Sequence, residues 1–138
     1  MSQEQKPDLN VLVAKWAPIL RMQDWDFNIR YARYHEFAEP VPAGSVTYLL
    51  TKRDVTIKIL EPGDFPPLGR PEMDIELTVV HEMLHPYIAL FFDRDTNNEQ
   101  LEQFIHSMSS TLVKLDRAGC RCKPVEVCFQ LDTVPAPT

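Results

Sequence analysis

Thr78-Val79-Val80-His81-Glu82-Met83-Leu84-His85 is the stretch on which the reading of this chain turns. Histidines four apart on a helix stand one turn above each other on one face. Their Cβ atoms are then about 6 Å apart. Both imidazoles can reach a single Zn²⁺ at bond lengths of roughly 2.0–2.1 Å. Glu82 points about 100° further round the helix, where its carboxylate meets a water on the metal without being a ligand. The pattern is H-E-x-x-H, with the glutamate as general base. Ile75, Leu77, Val79, Val80, Met83, Leu84, Tyr87, Ile88, Leu90, Phe91 and Phe92 make the segment apolar nearly all round, the mark of a buried helix. Two histidines and a glutamate there need partners, and a metal supplies them. The other reading is an ordinary core helix whose histidines bond to backbone carbonyls. Pro86 removes a backbone bond to Glu82, so the helix is expected to kink or end just after His85.

Downstream lies a polar turn, Asp93-Arg94-Asp95-Thr96-Asn97-Asn98, then a second helix from about Asn98 to Leu115. Leu101, Phe104, Ile105, Met108, Leu112 and Leu115 form its expected apolar face, and Gly119 its end. A short turn makes the two helices antiparallel neighbours, which returns the start of the second toward His85 and His81. A catalytic zinc takes three protein ligands and keeps one position open. Glu99 and Glu102, one turn apart, are the candidates for the third. Glu102 is favoured because its neighbours 101, 104 and 105 are apolar, and an inward charge must coordinate or pair. Glu99 suits the positive end of the helix.

Upstream, residues 61–71 carry four prolines and two glycines and read as a loop bordering the cleft. Pro71 suits the first turn of the metal helix, and Glu72, Asp74 and Glu76 suit its positive end. Ser45–Leu50 and Val55–Leu60 are β-rich runs joined by Thr51-Lys52-Arg53-Asp54, an antiparallel hairpin. Trp25–Tyr31 alternates as a half-buried strand, and 35–44 is a connection broken by proline and glycine. A first helix starts after Asp8 and is kinked or shortened by Pro18. Val125, Val127 and Phe129 alternate, so 120–131 is expected to add a last strand. The expected fold is α+β: an N-terminal helix, a small three- to four-stranded, mostly antiparallel sheet, the H-E-x-x-H helix and an antiparallel partner. It forms one domain over 1–138 with flexible ends at 1–7 and 132–138.

The length of 138 residues allows one modest core. A net charge of −6 argues against broad nucleic-acid binding, and no apolar run has membrane-spanning length. The polar start Met1–Asp8 is no signal peptide, so a cytoplasmic protein is expected. Three cysteines, Cys120, Cys122 and Cys128, are an odd count and read as reduced thiols.

The element order, H-E-x-x-H and a helix opening with glutamate resemble the minimal zincin metallopeptidase fold. Within it the chain is similar to gluzincin-like domains of the ImmA/IrrE type from phages and bacteria, over about residues 8 to 116. Glu102-Gln103-Phe104-Ile105-His106-Ser107-Met108-Ser109-Ser110 is similar to that family's E-x-x-A-N-x-F-A run. The resemblance implies Glu102 as third ligand and peptide-bond hydrolysis of a protein or peptide substrate. Pro86 departs from the pattern, and no helix-turn-helix is attached to name a substrate. Glu82 takes a proton from water and passes it to the leaving amine. Tyr87 and His106 are candidates to steady the transition state, His106 also as a supporting partner of the ligands. Both also fit plain packing or surface positions, and His35 reads as an exposed loop histidine. The alternatives are a non-catalytic module stapled by zinc for binding or inhibition, and a metal-dependent nuclease using Lys52, Arg53 and Lys58.

Overall fold

The computed structural model describes residues 6–64, 73–91 and 98–119. The alternating runs form three strands: β1 (Asp26–Ala32), β2 (Gly44–Leu49) and β3 (Asp54–Leu60). Their order is β1-β3-β2. Register aligns the apolar members across the sheet, with Ile29 opposite Ile57 and Ile57 opposite Val46. Val55, Ile57 and Ile59 on the central strand are almost wholly buried, while Thr56 between them is exposed. One face of the sheet therefore carries the core, as period-two alternation dictates.

The hairpin of β2 and β3 forms as expected, but the sheet is mixed rather than mostly antiparallel. β1 runs parallel to β3. The hairpin takes one edge of β3 and leaves the other to β1. Ala32 at the end of β1 lies opposite Leu60, and Gly44 at the start of β2 lies opposite Ile59. The chain thus re-enters the sheet at the end where it left. β2 runs back, and β3 returns parallel to β1.

Among the described residues, three α-helices complete the α+β architecture: α1 (Leu9–Ile19), α2 (Ile75–Ala89) and α3 (Asn98–Arg117). Asp8 caps α1 by accepting from the Asn10 amide at 3.0 Å. α1 ends one residue after Pro18 in a left-handed turn. Arg21 has φ 58°, and the Met22 and Arg21 amides donate back to the Ala17 and Pro18 carbonyls at 2.7 and 3.2 Å, a Schellman ending made without glycine. Trp16, Met22, Ile57, Val79, Val80, Met83 and Ile105 meet in the core between helices and sheet.

α2 starts later than the Pro71 signal placed it. Asp74 is its cap, accepting from the Leu77 amide at 3.1 Å. It also runs on through the fully buried Pro86 to Ala89. The proline stands within a turn of the helix end, where one lost backbone bond is tolerated because packing holds the last turn. α3 buries a narrower stripe than expected: Ile105, Ser109 and Val113, with Leu101 and Leu112 beside it. Phe104, Met108 and Leu115 are exposed, because the buried stripe lies on one side of them and turns Glu102 and His106 toward α2.

The expected fourth strand at 120–131, the three cysteines, Pro71, the turn at 93–97, and the end at 132–138 lie outside the described residues, as does most of the 1–7 tail. Lys6 pairs with Glu61 at 2.8 Å, and the Tyr31 hydroxyl donates to the Pro7 carbonyl at 2.7 Å. Among the described residues, no helix is long and apolar enough to cross a membrane.

Candidate metal centre

The two helices that carry the motif are pinned at one end by charge. Arg117 near the end of α3 donates to both carboxylate oxygens of Asp74 at 2.7 and 2.9 Å. Lys15 of α1 bridges Glu76 and Asp116, each at 2.8 Å. Glu102, near the start of α3, lies against His85, near the end of α2, so the two helices run antiparallel, and His106 one turn further along α3 faces His81.

The Nε2 atoms of His81 and His85 are 3.3 Å apart. Glu102 brings Oε1 to 3.0 Å from His85 Nε2 and Oε2 to 3.3 Å from His81 Nε2. Two donors bound to one tetrahedral zinc at roughly 2.0–2.1 Å stand about 3.3 Å apart. The two imidazole nitrogens stand at that spacing, and one ligand atom from each of His81, His85 and Glu102 lies within 4.8 Å of the others. Among the described residues they are the cluster of His, Cys, Asp or Glu side chains that could hold a metal ion.

The electrostatics suit that chemistry. Burial first, then the neighbouring His85 imidazole, hold His81 below the usual histidine range against the pull of Glu102. Burial likewise holds His85 down. Both rings stay neutral and keep a lone pair to donate. Glu82 is 7% exposed. Burial, with the Glu102 carboxylate second, pushes it up to about 8. A buried carboxyl poised near neutrality can both take and return a proton.

These groups line an open cleft of about 710 Å³ together with Pro42, Ala43, Gly44, Val46, Tyr48, Leu77, Thr78 and His106. Gly44 explains how β2 comes so close. A Cβ there would sit 2.9 Å from Thr78 Cγ2 and 3.2 Å from Glu82 Cγ. Only a residue without a side chain lets the strand seat against the α2 turn that carries the general-base candidate.

The structure thus brings together His81, Glu82, His85 and Glu102. His106 joins them at the cleft wall, its ring centroid 6.4 Å from His81. Tyr87 does not join them. It lies six residues beyond His81, on another side of α2, and its ring packs edge-on against Phe91 at 5.7 Å. Glu99 sits in the exposed first turn of α3, outside the donor cluster. His35 lies exposed in a single 3-10 turn, Tyr34–Glu36. The basic residues offered to a nuclease point elsewhere: Arg53 pairs with Asp24, and Lys58 donates to the Glu36 carbonyl and covers the Phe37 ring. No lysine or arginine lines the cleft among the described residues.

Sequence reasoning missed the β2 wall. Thr78 was findable, being one helical turn before His81 and Glu82. Gly44, Val46 and Tyr48 carried no signal of their own, because their place depends on which sheet edge α2 covers. Compared with protein-family models, curated proteins and solved structures, the chain matches none.

Proposed function

We propose that the protein is a zinc-dependent metallopeptidase of minimal zincin type. His81, His85 and Glu102 would hold the ion, and Glu82 would be the general base. One observation carries the reading: ligand atoms of two histidines and a glutamate lie within 4.8 Å of one another beside a buried carboxyl, within an open cleft. The ion would supply Lewis-acid polarisation of the scissile carbonyl and of water. Glu82 receives the proton from attacking water and delivers it to the leaving amine. Its burial keeps that proton from leaking to solvent. His106, at the wall beside His81, is suited to donate a hydrogen bond to the developing oxyanion.

β2 supports a peptide as substrate. It is an edge strand among the described residues, and an exposed edge pairs with an extended chain through backbone bonds. The absence of cations from the described cleft lining speaks against phosphate substrates. The setting we propose is cytoplasmic, in keeping with the polar stretch Met1–Asp8.

The test is metal content and hydrolysis together. Protein purified without chelator is expected to hold about one zinc per chain. His81→Ala loses it, whereas Glu82→Gln keeps it and no longer cleaves a mixed peptide substrate. Metal-free wild-type protein that gains no zinc on titration overturns the proposal.

A further inference from the structure

The wall of the cleft beyond the donor atoms has a chemistry of its own. On β2 the residues facing α2 are Gly44, Val46 and Tyr48, since side chains alternate. Gly44 lies against Glu82 and Thr78. Val46 is two residues further on and Tyr48 four, about 7 and 13 Å along the strand. Across the cleft from them, Leu77 lies one helical turn before His81. Tyr48 is 40% exposed although it lies on the core-bearing face of the sheet. An aromatic ring so placed has apolar area uncovered in the free protein.

We infer that Val46, Tyr48 and Leu77 form a subsite selecting an apolar substrate side chain two residues from the scissile bond, on its Tyr48 side. This rests on the peptidase reading and adds the substrate class to it. The spacing follows from strand geometry. A chain laid along β2 with its scissile carbonyl beside Gly44 and Glu82 presents its next same-facing side chain about 7 Å away, at Val46. There it meets Val46 and Tyr48 from the strand and Leu77 from the helix. Charge reinforces the choice. The described lining holds the carboxylate Glu102, the buried carboxyl of Glu82 and no lysine or arginine, so an acidic side chain would be desolvated without a cationic side chain to pair with.

The experiment digests a defined, equimolar peptide mixture with zinc-loaded full-length protein and reads the cut sites by mass spectrometry. The expected result is at least a tenfold enrichment of Leu, Ile, Val, Phe, Tyr or Met over Asp and Glu at one position two residues from the cut. Tyr48→Lys, a change at a half-exposed site, installs the missing cation and should move that ratio toward acidic residues about tenfold. Cleavage with no preference, or one unchanged in Tyr48→Lys, overturns the subsite and leaves the peptidase standing. In parallel, zinc-loaded Glu82→Gln is titrated with two fluorescent peptides differing only by Leu or Asp at that position. Tighter binding of the Leu peptide without wild-type cleavage supports the subsite and removes the peptidase. Equal affinity together with no cleavage removes both.

Discussion

Glu82→Gln in the metal-free protein tests the electrostatics of the site apart from any turnover. In the native state burial pushes the Glu82 carboxyl up to about 8, from an ordinary value of 4.5. Between those two values the native state holds a proton that the unfolded chain has lost. Stability therefore falls as pH rises through this window, by up to about 1.36 kcal/mol per pH unit. The histidines act oppositely. His81 and His85 have lowered native values, so their contribution raises stability with pH, still at about half its full slope at pH 6.5, where the unfolded histidines are half neutral, and is flat only above about pH 7.5. Comparison with Glu82→Gln, which keeps both histidines, isolates the Glu82 effect from pH 6.5 to 8, where its slope halves as pH approaches 8. The expected loss relative to that variant is about 1.5 kcal/mol, a sizeable share of a total of about 5–15 kcal/mol. Urea unfolding followed by fluorescence of the buried Trp16 and Trp25 reads it as a midpoint shift of roughly 0.5–1 M. Glu82→Gln, with no proton to lose, should show no such loss and only the small histidine gain below about pH 7.5. Added zinc should flatten the wild-type slope, because a nearby dication favours the carboxylate. Equal slopes for wild type and Glu82→Gln without metal would refute the reasoning.

Glu102→Ala should weaken zinc binding by more than about a hundredfold, beyond what losing a supporting partner of a ligand costs. Glu99→Ala should leave it within a factor of two; competition with a chromogenic chelator measures both. Gly44→Ala should retain zinc yet destabilise the chain by about 1–3 kcal/mol, as overpacking against Thr78 and Glu82 predicts; chemical denaturation of the loaded protein checks it. Ile57→Ala opens the centre of the core beneath both helices and should cost about 2–5 kcal/mol, visible as a lower unfolding midpoint.

What the sequence disclosed and what it withheld divide along a physical line. The H-E-x-x-H spacing is local: four residues of one helix fix where His81 and His85 point, and no distant contact can alter it. Glu102 was reachable by one further step, because a short turn forces two helices antiparallel. The strand runs were legible for the same reason, alternation being a property of neighbours. The parallel pairing of β1 with β3 was not, since it depends on where a proline-broken connection re-enters the sheet. Nor was the turn at Arg21, where the backbone adopts a conformation that glycine usually announces. The apolar pattern of α3 misled for a related cause. Phe104, Met108 and Leu115 share the periodicity of a core stripe, but the helix is rotated so that Glu102 and His106 face α2. The same rotation that brings Glu102 and His106 to the cleft wall leaves Phe104, Met108 and Leu115 in solvent.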